Sequence, residues 1–359
     1  MSGSNEYADW GWTDRYLQEA ALYPDLVPGR VILQHRSLYR VITGQGELTA
    51  QVSGKLRHRS AAPSEFPAVG DFVMVDKADD RDGYATILGI LPRRSAFVRK
   101  AAGKAEEAQV VAANIDTVFI CMALTRDFNL KRLERYLAIA WDSGAVPVVI
   151  LTKSDLCEDT APQLAAVEKA AIGVEVVVSS AVSGNGCGEI LQWIGPGKTV
   201  AFIGSSGVGK STLINHLLGQ ERMETLPVDK DGKGRHSTTR RELVILAAGG
   251  ALIDTPGMRE IGLEGADLST TFSDIEELAL ECRFSDCRHE QEPGCRVRRA
   301  ISEGRLSEER LQSYRKLQQE AVYQGLNSRQ IENEKISRMF AEFGGIKNAR
   351  DFVKGKNRS

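Results

Sequence analysis

Gly204-Ser205-Ser206-Gly207-Val208-Gly209-Lys210-Ser211-Thr212 decides the fold class of this chain. Residues 204–211 satisfy GxxxxGK[ST], they follow the apolar run Thr199 to Ile203, and they precede a helical pattern from Thr212 to Leu218. In such a strand–loop–helix unit the glycines let backbone N–H groups turn inward around phosphate oxygens, and the helix N-terminus adds a favourable dipole. Lys210 then reaches the β- and γ-phosphates and Ser211 ligates Mg²⁺. The stretch reads as the phosphate loop of an α/β nucleotide-binding domain.

Two further signatures complete the nucleotide site, and the second of them fixes the base. Asp254-Thr255-Pro256-Gly257 ends the apolar run Ala251 to Ile253. There Asp254 would hold Mg²⁺ and the Gly257 N–H would face the γ-phosphate. Thr152-Lys153-Ser154-Asp155 follows the run Val146 to Leu151. Asp155 can accept two hydrogen bonds from the N1–H and exocyclic amine of guanine, which adenine cannot offer, and the aliphatic stem of Lys153 can cover the base. Asp155 thus disfavours an ATP-dependent kinase built on the same phosphate loop. The usual first residue of this motif is Asn; Thr152 has only a hydroxyl, which puts affinity rather than selectivity in question. Ser180-Ala181, just after the run Val174 to Val178, would add backbone contact to the base. The order of these pieces is unusual. The guanine-reading residues come first and the phosphate loop after them, so the domain reads as circularly permuted.

Between the phosphate loop and Asp254 lies Lys230-Asp231-Gly232-Lys233-Gly234-Arg235-His236-Ser237-Thr238-Thr239-Arg240, a glycine-rich polar stretch expected to act as a switch loop. Thr238 is preferred over Thr239 as its Mg²⁺ ligand. Met258 stands where a water-orienting Gln is common, and a thioether cannot orient water. Hydrolysis then falls to a partner or to His236, the only nearby imidazole, which could equally be a surface or phosphate-contacting residue.

Cys282-x4-Cys287-x-His289-x5-Cys295 supplies four soft or borderline ligands in one short segment, enough to close a tetrahedral structural Zn²⁺ site. The alternative is scattered free thiols. Cys121 lies in an apolar run, and Cys157 and Cys187 read as thiols in loop-like segments.

The chain has 359 residues, 42% hydrophobic and 26% charged, which suits two or three domains with cores of their own. No run approaches the roughly 18 apolar residues of a membrane span, and the start of the chain lacks a basic-then-apolar leader, so a cytoplasmic protein with no membrane partner is expected. A net charge of −2 gives no sign of a nucleic-acid partner. Local clusters do: Arg57, His58 and Arg59; Arg93, Arg94, Arg99, Lys100 and Lys104; and a basic tail with Lys347, Arg350, Lys354, Lys356 and Arg358.

Residues 1–27, with Trp10, Trp12 and Tyr16, read as an extension that packs on something else. Five short strands follow, at Arg30 to Gln34, Tyr39 to Thr43, Glu47 to Leu56, Asp71 to Val75 and Tyr84 to Ile90. They suit a small closed barrel, either an OB-fold, whose face commonly binds oligonucleotides, or an SH3-like barrel. From about Ile115, apolar runs alternate with helical patterns, as in a mostly parallel sheet covered on both faces. After Leu268 the chain is helical and polar, and its clearest helix is expected over Ser307 to Tyr323.

Taken together, the permuted motif order, the barrel, the Gly234-Arg235-His236 switch loop and the Cys-x4-Cys-x-His-x5-Cys spacing resemble one family closely, the circularly permuted ribosome small subunit-dependent GTPase A (RsgA or YjeQ) family. The resemblance covers nearly everything from residue 29 onward. It implies an N-terminal OB-fold that binds RNA (residues 28–100), a central GTPase domain (101–268) and a C-terminal zinc-binding helical domain (269–359). The implied activity is GTP hydrolysis stimulated by the small ribosomal subunit during its late maturation, with rRNA as partner. The guanine and phosphate sites are then 152–155 and 204–212, with one structural Zn²⁺ on Cys282, Cys287, His289 and Cys295, and Mg²⁺ bound with GTP by Ser211, Thr238 and Asp254. Thr152 and Ser237 depart from the family pattern. A competing class is a nucleotide-gated RNA-binding module whose hydrolysis is incidental. Nothing in the pattern suggests a dimer seam, so a monomer is expected.

Overall fold

The structure is a computed structural model that describes residues 9–79, 81–101, 104–219, 242–246, 249–254 and 268–323. In chain order the described strands are β1 (Val27–His35), β2 (Leu38–Thr43), β3 (Gly46–Val52), β4 (Phe72–Val75), β5 (Ala85–Ile90), β6 (Ala96–Ala101), β7 (Lys104–Ala113), β8 (Thr117–Ala123), β9 (Val146–Thr152), β10 (Glu175–Val178), β11 (Thr199–Ile203), β12 (Glu242–Ile245) and β13 (Ala251–Asp254). The helices are α1 (Asp14–Ala20), α2 (Gly54–Arg59), α3 (Leu130–Asp142), α4 (Ala161–Ala170), α5 (Cys187–Leu191), α6 (Lys210–Leu218), α7 (Ser273–Leu280), α8 (Arg296–Ser302) and α9 (Glu308–Tyr323).

The first five strands close on themselves in the order β1-β2-β3-β5-β4-β1, with β3 and β5 parallel and the other pairs antiparallel. That circuit, with α2 between β3 and β4, is an OB-fold; an SH3-like meander has no parallel pair. β3 ends at Val52, four residues before the expected Leu56. Val52, Gly54 and Leu56 keep the period of a strand, but the Ser53 side chain accepts the Leu56 N–H at 3.1 Å and caps α2 instead.

β4 is buried on both faces because two cores meet there. Val73 and Val75 join the barrel interior with Val31, Leu48 and Ile87, while Phe72 and Met74 face outward onto Trp10, Trp12 and Tyr16. The N-terminal extension therefore packs on the barrel wall through α1, with the Trp12 and Tyr16 rings 4.7 and 4.0 Å from that of Phe72. The expected boundary at residue 100 falls inside the β6–β7 hairpin.

A parallel sheet runs β10-β9-β8-β11-β13, with β12 antiparallel at its side. α5 and α6 cover one face. On the other face α3 packs together with Phe272, Val297, Leu311 and Tyr314 of the C-terminal helices, so the helical segment shares the nucleotide domain's core rather than burying one of its own. The joint carries charge as well as apolar surface. Arg310 pairs with Asp274 at 2.6 and 2.8 Å and with Glu134 of α3 at 3.1 Å, and it donates to the Thr271 and Ala170 carbonyls. Burial raises the Glu134 carboxyl, opposed by the Ser313 hydroxyl and Arg310.

A second buried cation joins barrel to sheet. Arg30 of β1 is fully buried and stacks on Phe72. It donates to the carbonyls of Trp10, Gly70 and Asn114 and to Thr199 Oγ1 at 2.9 Å, at the start of the strand that leads into the phosphate loop. Burial lowers its guanidinium to about 10. Replacing Arg30 by Ala removes a donor from three carbonyls, of which Gly70 keeps Asn114 Nδ2, and opens a cavity; a loss of about 3–5 kcal/mol is expected. A lower urea midpoint in tryptophan fluorescence, which Trp10 and Trp12 report locally, is the check. Arg30→Lys is expected to recover little, because an ammonium cannot reproduce a planar fork of donors. An unchanged midpoint in both variants contradicts the assignment.

Two members of the second basic cluster turn out to be fasteners rather than open surface. Arg93 forks onto buried Asp71 at 2.8 and 2.7 Å and donates to the Ser64 and Phe66 carbonyls. Arg94 pairs with Asp116 at 2.9 Å and lies over the Tyr16 ring. No helix among the described residues is long and apolar enough to cross a membrane.

Candidate functional site

Parallel strands bring their C-terminal ends to one edge of a sheet, where open α/β sheets bind ligands. Here β9 delivers Thr152, β10 delivers Ser180, β11 delivers Gly204 and β13 ends at Asp254. Residues scattered over a hundred positions of sequence thus gather in one place.

Leaving β11, the chain turns at Gly204 with φ +146°, where a Cβ would sit 2.4 Å from the Cys121 carbonyl; only glycine fits. Gly209, at φ +96°, caps α6, whose first residue is Lys210. Ser205, Ser206, Gly207 and Val208 complete the loop, and Ser211 and Thr212 lie in the first turn of α6. Lys210 Nζ donates to the Gly204 and Ser205 carbonyls at 2.8 and 2.7 Å, so its ammonium lies within the loop it would serve. Beneath it, burial pushes the Cys121 thiol up to about 12 and keeps it inert.

The residues expected to read guanine are bonded to this loop. Thr152 is buried and its hydroxyl donates to the Val208 carbonyl at 2.5 Å. The departure from Asn therefore has a structural role: a hydroxyl ties the two motifs together. Lys153 adopts the left-handed conformation (φ 60°), which lays its stem beside Gly209, with Cε 3.7 Å from where a Cβ there would be. The fully buried Ser180 donates its hydroxyl to Asp155 Oδ1 at 2.5 Å and accepts the N–H groups of Val182 and Ser183. The exposed Asp155 carboxylate is thereby aimed by a rigid turn, and Ala181 packs on the core beside it. His236, Thr238, Thr239 and Gly257 lie outside the described residues, as do the Asp254 carboxylate and the basic tail.

One contact has no signature in the sequence. Arg132, on the first turn of α3, donates from Nη1 to Ser205 Oγ at 2.7 Å across 73 positions of chain, and no spacing rule links the two. Cys187, expected in a loop, is instead the buried first residue of α5, against Ser179 and Ser180.

Cys282, Cys287, His289 and Cys295 converge, with all four ligand atoms within 4.8 Å of one another. A tetrahedral metal with sulfur bonds of about 2.3 Å separates its ligands by about 3.8 Å. The Cys282–Cys295 sulfurs are 3.9 Å apart, and His289 Nδ1 is 3.7 and 3.5 Å from them, so the donor set fits such an ion. Outer contacts hold it: the Arg296 and Arg298 N–H groups donate to the Cys282 and Cys295 sulfurs, and Arg298 Nε donates to the His289 carbonyl. Burial lowers His289, which favours the neutral imidazole a metal needs.

The family model described as RsgA GTPase matches residues 90–264. A model for ABC transporters matches residues 191–345, a span that contains the phosphate loop common to both. The small ribosomal subunit biogenesis GTPase RsgA 2 of Lactiplantibacillus plantarum is 53% identical over 313 residues, covering 87% of this chain and 88% of that protein. A protein of Opitutus terrae with the name small ribosomal subunit biogenesis GTPase RsgA is 46% identical over 328 residues, covering 87% and 89%. Among solved structures, YjeQ from Thermotoga maritima aligns with a TM-score of 0.63 at 26% identity, over 82% of this chain and 98% of that one. YloQ, a circularly permuted GTPase, aligns at 0.60 over 82% and 95%, a likeness of fold at 24% identity.

Proposed function

The chain belongs to the RsgA family of small ribosomal subunit biogenesis GTPases, and on that premise we propose which residues carry its work. It hydrolyses GTP in the assembly of the small ribosomal subunit. Asp155 reads guanine, Lys153 and Ala181 flank the base, and residues 204–212 with Gly257 hold the phosphates. Mg²⁺ accompanies the nucleotide, and the hydroxyl and carboxylate donors of Ser211, Thr238 and Asp254 suit that hard ion. A water oxygen attacks the γ-phosphorus, the bond to the β–γ bridging oxygen breaks, and the water's protons pass to the products, GDP and phosphate. His236 is our candidate for orienting that water.

The observation that carries this reading is the pair of ties from Thr152 to Val208 and from Ser180 to Asp155, which make one rigid unit of the base-reading and phosphate-holding loops. The Cys3His cluster takes one Zn²⁺. Four protein ligands leave no open position, so that ion holds the fold and catalyses nothing. The barrel at 28–100 and the C-terminal segment at 269–359 flank the GTPase domain at 101–268 and grip rRNA from both sides. The GTP form binds the subunit more tightly than the GDP form, so hydrolysis on the subunit lowers affinity and powers departure. The protein works in the cytoplasm, where subunits are assembled, and as a monomer.

Asp155→Asn tests the base assignment. Asparagine presents an N–H where the carboxylate accepted one, so affinity for GTP is expected to fall about a hundredfold while xanthosine triphosphate, with a carbonyl at that position, gains. Competition against a fluorescent nucleotide reads both; an unchanged preference for GTP removes Asp155 from the base site.

A further inference from the structure

Ser205 is held by two cations. Its carbonyl accepts from Lys210 Nζ at 2.7 Å and its hydroxyl accepts from Arg132 Nη1 at 2.7 Å. Among the described residues Arg132 makes no salt bridge, and Ser205 Oγ is its only side-chain hydrogen-bond partner. Arg132 thus adds a second positive charge to the residue that Lys210 already contacts, as suits a loop that would hold an anion.

The backbone that carries Arg132 is fixed. β8 lies beside β11 in the sheet, so the turn leaving β8 rises next to the phosphate loop. Asn129 caps α3 by accepting the Arg132 N–H at 3.0 Å. Leu133 and Leu137 are buried, and Glu134 is locked to Arg310 and Ser313 of α9. One turn of helix therefore has the C-terminal helices on one side and the phosphate loop on the other.

We propose that Arg132 is a positioning residue for GTP hydrolysis: through the Ser205 hydroxyl it holds the phosphate loop in its reactive geometry and places a fixed positive charge beside the transferring phosphoryl group. The assignment rests on reading residues 204–212 as the phosphate loop. It supplies from within the chain a charge that would otherwise come from a partner, in a protein with Met258 where Gln is common. Because α3 is also the helix that Arg310 grips, the C-terminal helices reach the loop through this same residue.

The test uses the full chain and four variants, with GTP turnover, GTP and GDP affinity, and formation of the complex of GDP with aluminium fluoride. Arg132→Ala is expected to lower kcat by roughly tenfold to a hundredfold, with KM and GDP affinity within about threefold and a weakened aluminium fluoride complex. Ser205→Ala, which removes the acceptor but keeps the guanidinium, is expected to show a similar loss of kcat. Arg132→Lys, which keeps one donor and the charge, recovers most of the rate. Wild-type kcat in Arg132→Ala overturns the inference, as does a loss matched by falling GDP affinity and thermal melting, which would mark a purely structural contact. Lys210→Ala in the same assay separates the two levels. If that variant also turns over normally, the phosphate-loop reading fails; if it is dead while Arg132→Ala is unaffected, only the role of Arg132 fails.

Discussion

GTP turnover by the Lys210→Ala variant is expected to fall by about a thousandfold or more, the largest effect of any single substitution in the nucleotide site. Lys210 Nζ is held by the Gly204 and Ser205 carbonyls, at the mouth of the loop where β- and γ-phosphate oxygens would lie. A methyl group there leaves two phosphate charges without their closest counter-charge, and those charges are greatest as the bridging bond breaks. The fold is expected to survive. Leu213 and Ile214 pack α6 against the sheet, and neither depends on the lysine. Phosphate release under single-turnover conditions, with circular dichroism as a check on folding, reads the effect. Unchanged release removes the phosphate loop from the reaction.

Removal of the metal is expected to have the largest effect on structure. Apparent binding free energies of structural zinc are about 10–16 kcal/mol in small peptides, more than the packing of a short helical segment supplies. The ligands here are also structural parts of the chain: Cys295 caps α8 by accepting the Arg298 N–H at 3.4 Å, and Cys282 follows the end of α7. A strong chelator should therefore melt the region around α8 and lower the thermal transition. GTP affinity should stay largely intact, because Thr152 is bonded to the phosphate loop and Ser180 to Asp155, and neither bond runs through the cluster. Metal content by mass spectrometry, followed with the melting curve during chelation, is the measurement. A metal-free protein with unaltered melting refutes the zinc assignment, and loss of GTP binding in step with the metal would tie the two sites together.

The sequence was most legible where chemistry is local. Residues 204–212 announce a phosphate loop because glycines, lysine and hydroxyl must all lie within one turn of chain, and the period-2 burial of β2 and β3 announces a barrel for the same reason. It was less legible where two local signals compete. The alternation through Val52, Gly54 and Leu56 favours a strand, yet the Ser53 cap wins and α2 begins. Clustered arginines mislead when their partners are far away in sequence: Arg93 and Arg94 resemble an open basic patch until Asp71 and Asp116 come into view. Contacts between distant segments carried no signal at all. Arg30 with Thr199, Arg132 with Ser205 and Glu134 with Arg310 are made by tertiary packing, and each joins elements whose own patterns are complete without it.

Of the three, the Glu134–Arg310 pair bears most on how a subunit could stimulate hydrolysis, since it fastens the C-terminal helices to the helix that carries Arg132. On the proposed reading, the surface that would grip RNA and the loop that would grip phosphate are then two sides of one rigid element. The most direct test of that account is GTP turnover with and without purified small ribosomal subunits at two salt concentrations. Strong stimulation that weakens as salt rises is the predicted result, because phosphate-backbone contacts release counterions on binding. Turnover that ignores the subunit despite tight GTP binding would contradict it, and would favour a nucleotide-gated RNA-binding module whose hydrolysis is incidental.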